Sequence, residues 1–374
     1  FDTYTEVRQL SMGVHGAEWA ALASSVDCSM RIVRGGFPDT VDALDPDQVD
    51  IVREAKVPVS LAEAADATEP DPAAGSMVGV VGSSDSTELN APAVQSAVCR
   101  RSSAERITPT YFAKAQKCMW HSADQTEVYG FYYPPTSPDY TSEGLPPVLV
   151  DVHGGPTAQR NVGFSAETAL FTSRGWGVFV LNYRGSTGYG RTYREALNHR
   201  WGILDVEDAV GAAHMLCERK LADPRRLVIR GGSAGGYTVL QTLVQHPGVF
   251  CAGVCLYGIS NLFTLAQGTH KFESRYLDRL IGCLPQDAER YHQRSPLFFA
   301  EQIQDPLAIF QGDQDQVVPP EQAESLVRTL RARNIPHHYR LFVGEGHGWR
   351  KPETWRTYYQ ELLNFLQQFV LYAH

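Results

Sequence analysis

A serine enclosed by glycines constrains the fold of this chain more than any other feature. A β-branched, apolar run begins at Arg226 and leads into Gly231-Gly-Ser-Ala-Gly-Gly236, after which the spacing becomes helical. Glycines on both sides of Ser233 remove the Cβ atoms that would clash in a tight, strained turn from strand to helix. The pattern predicts a serine hydroxyl raised above the end of a strand. Taken alone, it fits a glycine-rich turn with an incidental serine equally well.

The chain from residue 116 onward alternates strand patterns with helix patterns. A hairpin, predicted at 117–120 and 126–133, comes first. The further strands are predicted at 148–152, 177–182, 226–230, 252–257, 306–311 and 338–343. The helices are predicted at 165–174, 206–219, 237–244, 320–333 and 353–371. Such alternation is typical of an α/β domain with a mostly parallel sheet covered on both faces.

Residues 1–115 lack helical periodicity and predict a separate, β-rich region. Short apolar or β-prone pieces alternate there with turn-rich segments, as in small all-β units. The acidic stretch 63–75, rich in Ala and Pro, is interpreted as a linker. We therefore predict two domains, 1–115 and 116–374.

Composition excludes several classes of partner. The net charge is −9 and no Lys/Arg block occurs, which argues against a nucleic-acid surface. No apolar run approaches the eighteen residues needed to span a bilayer, so no membrane partner is expected. The seven cysteines are scattered without a CxxC pair, which favours reduced thiols and a cytoplasmic location. The chain begins at Phe1 rather than Met, and no signal-peptide pattern is expected in it.

Two further polar residues follow predicted strands, as Ser233 does. Asp315 lies in the loop 312–319 and His347 lies in the glycine-rich loop 344–348. A serine hydroxyl needs a base to become a nucleophile, and the base needs an orienting acid. The order Ser, acid, His is that of α/β-hydrolases, in which these loops share one rim of the sheet.

Other residues compete for the same roles. Asp313 is an alternative acid, although it lies nearer the strand end than Asp315 does. Glu345 is interpreted as a solvated loop acid. The segment 153–156, His-Gly-Gly-Pro, ends the first strong strand, where such motifs supply a backbone N–H to an oxyanion hole together with the N–H of Ala234. A turn that only ends the strand is the alternative, and His153 is interpreted as a structural neighbour of the hole.

Several motifs together resemble those of the prolyl oligopeptidase family of serine peptidases, from about Thr126 to the C-terminus. The resemblance is strongest to the branch that contains bacterial acylaminoacyl-peptidase-like and dipeptidyl-aminopeptidase-like enzymes. It rests on HGGP at 153–156, NYRGSTGYG at 182–190, GGSAGGY at 231–237, FESRY at 272–276, and the loops 312–319 and 344–348.

The resemblance implies an α/β-hydrolase fold and a set of site residues. Ser233, Asp315 and His347 would be nucleophile, acid and base, and the N–H groups of Gly155 and Ala234 would bind the oxyanion. Ile259, Phe272 and Val318 match apolar specificity-pocket positions, with a plain core role as the alternative for each. Gln316 and Val317 stand near where some branches carry an Arg or Asn that holds the substrate. No metal or organic cofactor is implied.

The resemblance also implies what is missing. The family places a β-propeller before the catalytic domain, and at roughly 40 residues a blade a seven-bladed propeller needs about 300 residues. The region 1–115 is too short, so we predict that it resembles the end of a propeller and that the remainder belongs elsewhere. That propeller portion and a second copy of this chain are candidate partners.

Three functions remain open from the sequence. The first is a serine peptidase that cleaves short peptides near the N-terminus. The second is a carboxylesterase, since the same residues hydrolyse esters. The third is a catalytically silent binding module.

Overall fold

The computed structural model describes residues 76–81, 95–101 and 108–372, apart from residues 140, 142 and 269–274. The chain divides into two units, Phe1–Pro109 and Thr110–His374. In the first unit, β1 (Ser76–Val81) and β2 (Gln95–Arg101) pair antiparallel. The other β-prone pieces predicted before them lie outside the described residues, so the likeness to propeller blades stays a prediction.

The second unit is built on a sheet of eight strands among the described residues. After β1 and β2, the strands are β3 (Gln116–His121), β4 (Glu127–Tyr133), β5 (Val148–Val152), β6 (Gly177–Asn182), β7 (Leu227–Gly232), β8 (Ala252–Leu256), β9 (Leu307–Gly312) and β10 (His337–Phe342). Their spatial order is β10-β9-β8-β7-β5-β6-β4-β3. Neighbours from β10 to β6 run parallel, and the hairpin β3–β4 joins β6 antiparallel. The carboxyl ends of β5, β7, β9 and β10 therefore share one edge.

Helices connect these strands, and every predicted helix is present with small shifts at its ends. The helices are α1 (Ala166–Thr172), α2 (Arg191–Glu195), α3 (Leu204–Glu218), α4 (Ala234–Gln245), α5 (Leu262–Gly268), α6 (Tyr276–Leu280), α7 (Ala288–Gln293), α8 (Pro320–Ala332) and α9 (Pro352–Leu366). Turns of 3₁₀ helix occupy Pro109–Tyr111 and Pro296–Gln302, and a π-helical turn at Gln367–Leu371 follows α9. The short helices α2, α5, α6 and α7, of five to seven residues each, were not predicted.

Two buried apolar clusters cover the two faces of the sheet. Val148 and Val150 of β5 belong to the cluster that contains residues of α3, α4 and α8. Leu149, between them, belongs to the cluster that contains residues of α1 and α9. Because successive side chains of a strand point to opposite faces, β5 feeds both clusters and is buried along its whole length. This arrangement confirms a mostly parallel sheet with helices on both faces.

Candidate active site

Ser233 lies at the turn from β7 to α4 with backbone angles that few residues other than glycine adopt. Its φ is 57° and its ψ is −122°. A Cβ on Gly235 would lie 2.1 Å from the carbonyl oxygen of Val152, and one on Gly231 would lie 2.5 Å from the carbonyl of Gly235. The glycines thus let α4 start directly against the end of β5. The strained, tight turn expected from the sequence is present.

His347 links Ser233 to Asp315. Its Nε2 atom is 2.9 Å from Ser233 Oγ, although the two residues are 114 positions apart in the chain. Its Nδ1 atom is 2.8 Å from Asp315 Oδ2. With Nδ1–H donated to the carboxylate, Nε2 is left as an acceptor for the serine hydroxyl. The three loops therefore converge in the geometry that proton transfer from the serine requires.

Asp315 is held by its own loop. Its side chain is fully buried, and Oδ1 accepts the backbone N–H groups of Val317 and Val318, each at 2.9 Å. The Nε2 of Gln311, on β9, lies 3.2 Å from Oδ2. These donors fix the plane of the carboxylate and leave Oδ2 directed at His347.

Asp313 does not contact His347 but contacts the loop that carries it. Its Oδ1 atom accepts the backbone N–H of Gly344 at 2.6 Å. Of the two candidate acids in loop 312–319, the structure brings Asp315 to the imidazole. Asp313 instead joins loop 312–319 to loop 344–348.

The interpretation of Glu345 as a solvated acid is wrong. Glu345 is only 1% exposed, and its carboxylate accepts the backbone N–H groups of Arg350 and Lys351 at 2.9 and 3.0 Å. Burial opposes ionisation, but hydrogen bonds from the Thr354 side chain and from these N–H groups outweigh it and lower the pKa of Glu345. The sequence pattern missed this because the donors lie at the start of α9, beyond the loop itself.

The Gly154–Gly155 turn lies against the serine. A Cβ on Gly154 would be 3.0 Å from the carbonyl oxygen of Gly232 and 3.4 Å from Ser233 Cβ. Gly155 has a φ of 125°, which strains any other residue. Among the described residues, the N–H groups of Gly155 and Ala234 donate to no other protein group. Their role in binding an oxyanion stays a prediction.

His153 is part of the support of this turn. It is 3% exposed, its Nε2 is 2.8 Å from Ser186 Oγ, and its ring stacks on Tyr183 with centroids 4.4 Å apart. Burial lowers the pKa of His153 to about 4. A neutral, buried imidazole directed at Ser186 is poorly placed to act as a second base, which agrees with its interpretation as a structural neighbour.

The fold and the motifs of this chain are those of a known family. A family model described as "Prolyl oligopeptidase family" matches residues 162–371, more than half of the chain. The chain belongs to the prolyl oligopeptidase family. The resemblance drawn from its motifs is therefore confirmed.

Individual members of the prolyl oligopeptidase family extend the comparison. A solved puromycin-hydrolyzing peptidase of Mycobacterium tuberculosis is 40% identical with a TM-score of 0.73, over 78% of this chain and 46% of that one. Dipeptidyl peptidase family member 6 of Caenorhabditis elegans is 36% identical over 227 residues, 59% of this chain and 31% of the relative. Dipeptidyl aminopeptidase BIII of Pseudoxanthomonas mexicana is 32% identical over 256 residues, 66% of this chain and 37% of the relative. The chain spans about a third of the length of these two curated relatives.

The candidate pocket residues of this prolyl oligopeptidase family chain are only partly described. Ile259 and Val318 are 4% and 0% exposed and lie in the apolar cluster on the α4 face of the sheet. Phe272 lies outside the described residues. The burial of Ile259 and Val318 agrees with the core interpretation, and their pocket role stays a prediction.

Sequence reasoning missed Tyr257, the residue after β8. Its ring centroid lies 4.7 Å from that of His347 and 5.3 Å from that of Trp349. A Cβ on Gly232 would lie 3.0 Å from its ring. Tyr257 thus fills the space beneath the serine turn and beside the imidazole. The sequence feature that could have pointed to Tyr257 is its position directly after β8, a central strand of the sheet.

Membrane-spanning helices and clusters of metal ligands are both absent from the described residues. None of the helices in this part of the chain is both long and apolar enough to cross a bilayer. Likewise, within the described ranges no three His, Cys, Asp or Glu side chains are grouped so as to hold a metal ion.

Proposed function

We propose that this chain is the catalytic part of a serine peptidase that cleaves short peptides near their N-terminus. The observation that carries the proposal is the hydrogen-bonded triad of Ser233, His347 and Asp315. The contacts from His347 to Ser233 Oγ and to Asp315 Oδ2 are both shorter than 3 Å. Membership of the prolyl oligopeptidase family supports the same chemistry.

Each residue of the triad has a role in the proposed reaction. Ser233 Oγ attacks the carbonyl carbon of the scissile bond while its proton passes to His347 Nε2. Asp315 accepts a hydrogen bond from Nδ1–H and stabilises the imidazolium that forms. His347 then gives its proton to the leaving amine. Water repeats the attack on the acyl-enzyme with the same base, and the serine is regenerated.

The developing negative charge on the carbonyl oxygen is assigned to two backbone donors. Ala234 directly follows Ser233 and the Gly154–Gly155 turn lies against it, and neither the Gly155 nor the Ala234 N–H donates a hydrogen bond to the described residues. Loss of one such donor typically costs about 3–4 kcal/mol of transition-state stabilisation. The positive φ values of Gly155 and Ser233 support this assignment.

The substrate class rests on the relatives. Relatives at 32–40% identity include a dipeptidyl peptidase family member, a dipeptidyl aminopeptidase and a puromycin-hydrolyzing peptidase. Others, at 27–28% identity, are named acylamino-acid-releasing enzymes. We therefore assign short peptides, and the choice between free and blocked N-termini is left to the assay.

A panel of chromogenic substrates tests the proposal. Free aminoacyl, dipeptidyl and acyl-aminoacyl amides are compared with short-chain acyl esters, using the full chain. A fluorescent organophosphonate probe labels the nucleophile in parallel. We expect amide turnover and labelling by the wild type, and neither by Ser233→Ala. The matched control is Ser325→Ala, on α8 away from the triad, which should label and turn over like the wild type.

Three results would contradict the proposal. Labelling that persists in Ser233→Ala would show that another residue is the nucleophile. Turnover of esters without any of the amides would replace the peptidase by a carboxylesterase. A folded wild-type sample that is inert towards every substrate and the probe would leave a binding module.

A further inference from the structure

Loop 343–351, which carries His347, is closed by a buried carboxylate. Glu345 lies two residues before His347, and it accepts the N–H groups of residues that follow His347, namely Arg350 at 2.9 Å and Lys351 at 3.0 Å. The imidazole therefore lies at the tip of a short loop whose two sides are joined by the Glu345 carboxylate and, at its ends, by the hydrogen bond from Lys351 Nζ to the Val343 carbonyl oxygen at 2.9 Å. Gly346 and Gly348, on either side of His347, form an isolated antiparallel β-bridge with each other.

The same residue also fastens this loop to the loop of the acid. The carbonyl oxygen of Glu345 accepts the N–H of Gln314, the residue before Asp315, at 2.9 Å. A Cβ on Gly312 would lie 2.4 Å from that carbonyl oxygen, so the two loops touch at the backbone. Glu345 thus contacts the chain that follows His347 through its carboxylate, and the residue next to Asp315 through its backbone carbonyl.

The start of α9 supplies the stabilisation. Lys351 is the residue that caps α9, and unpaired N–H groups at a helix start carry partial positive charge. A buried carboxylate with these donors is well solvated by them, whereas a residue without acceptors would leave buried N–H groups unsatisfied.

We infer that Glu345 is a positioning residue that holds the His347 imidazole between Ser233 and Asp315. The inference deepens the proposed function, and the part of its test that measures kcat rests on that function. A side chain that merely caps α9 would contribute stability alone. Glu345 differs from such a cap because its acceptor atoms and its carbonyl together determine where the tip of the loop lies relative to Asp315.

The test compares Glu345→Ala and Glu345→Gln with a matched helix-cap variant. Gln keeps the shape and one carbonyl acceptor, which guards against simple failure to fold. Ser165→Ala is the control, because the Ser165 side chain caps α1 by accepting the N–H of Thr168 at 3.1 Å and touches neither loop. Folding of each variant is checked by circular dichroism and thermal unfolding.

We expect kcat to fall about 10²-fold in Glu345→Ala, as displacement of a catalytic group by about 1 Å does, with KM little changed. Glu345→Gln should lose roughly tenfold, since it keeps one of two acceptors. The low-field proton NMR signal of the His347 Nδ1–H bonded to Asp315 should shift or broaden in both variants. Ser165→Ala should lose stability but keep kcat and that signal.

The inference is overturned if Glu345→Ala lowers the unfolding temperature while kcat and the NMR signal stay as in the wild type. The two proposals can fail separately. If the wild type proves inert towards substrates and probe, the proposed function fails, and the NMR signal alone still decides whether Glu345 positions the imidazole.

Discussion

Asp151 of β5 and Arg230 of β7 are direct partners in the parallel register of the sheet, and their side chains form a buried ion pair. Arg230 Nη2 lies 2.9 Å from Asp151 Oδ1, and the residues are 4% and 8% exposed. Asp151 lies two residues before His153, and Arg230 lies three before Ser233. The pair therefore joins the strand that leads to the Gly154–Gly155 turn to the strand that leads to Ser233.

Removal of Arg230 should destabilise the protein strongly. Burial opposes ionisation of Asp151, but the nearby Arg230 outweighs it and lowers the pKa of the carboxyl. Arg230→Met would leave Asp151 with the more distant, half-exposed Arg160 at 3.7 Å and would also remove the Arg230 partner of Glu167. Loss of one member of a buried ion pair typically costs about 3–5 kcal/mol in unfolding free energy. Adding Asp151→Asn should recover part of the loss. Urea unfolding measures both.

Arg225→Met is the matched control for this experiment. The Arg225 side chain is 90% exposed and lies 3.7 Å from Asp223. Exposed ion pairs contribute about 0–1 kcal/mol, so little change is expected. Equal losses from Arg230→Met and Arg225→Met would show that the buried pair contributes nothing special.

Substitution of Asp313 and Asp315 should distinguish the acid that orients His347 from the aspartate that binds the Gly344 N–H. Asp315→Asn keeps the shape of the side chain but removes the charge that orients and stabilises the imidazolium, so kcat should fall roughly 10⁴-fold. Asp313→Asn keeps an oxygen that can accept the Gly344 N–H, so its loss should stay below about tenfold. Steady-state kinetics on one chromogenic amide measures both, and the reverse order would make Asp313 the acid.

Glycine at position 235 is required by contact. A Cβ there would lie 2.1 Å from the Val152 carbonyl oxygen, which belongs to the backbone of a central strand and cannot move aside. Gly235→Ala should therefore cost about 1–3 kcal/mol in unfolding free energy and also lower kcat, because α4 carries the Ala234 N–H. Gly163→Ala is the control, since nothing lies within 4 Å of its added Cβ. Thermal unfolding and steady-state kinetics measure both variants. Equal unfolding temperatures and equal kcat values for Gly235→Ala and Gly163→Ala would contradict the prediction.

Stability should depend on pH through Asp205. This fully buried carboxyl accepts the Gly202 N–H at 2.7 Å and the Thr238 hydroxyl at 2.6 Å, and burial raises its pKa to about 6. The folded state then holds a proton more tightly than the unfolded chain, whose value is about 3.9. Its contribution is complete below pH 4 and is lost as the pH rises through 6.

Asp205→Asn should remove that dependence. The amide oxygen still accepts from Gly202, and no charge has to form in the interior. Relative to the wild type, the variant should gain up to about 3 kcal/mol in unfolding free energy between pH 4 and pH 7. Denaturant unfolding over this range is the measurement. Glu324→Gln, exposed on α8, should run parallel to the wild type, and a parallel Asp205→Asn curve would refute the assignment.

The sequence was sufficient where local patterns and chain order carry the information. Ser233, Asp315 and His347 each follow a strand, and parallel strands end at one edge, so their convergence could be inferred before any coordinates. The long strands and helices were predicted to within a few residues for the same reason. The strained serine turn followed from its glycines.

The rest depends on contacts between distant parts of the chain. Glu345 looks like a solvated acid because nothing in its loop reveals the N–H groups at the start of α9. The role of Tyr257 beside His347 is equally hidden, since it depends on β8 lying next to β7 and β9. The sequence favoured Asp315 over Asp313 as the acid, but the role of Asp313 could not be predicted, because it depends on the Gly344 N–H of another loop.

The long separation between Ser233 and His347 has a consequence for synthesis of the chain. A polypeptide emerging from the ribosome exposes the serine more than a hundred residues before the imidazole exists. During that interval the hydroxyl has no partner to take its proton and is as inert as an ordinary alcohol. Under the proposed function, Ser233 therefore gains its base only after β9 and β10 have been made and added to the sheet.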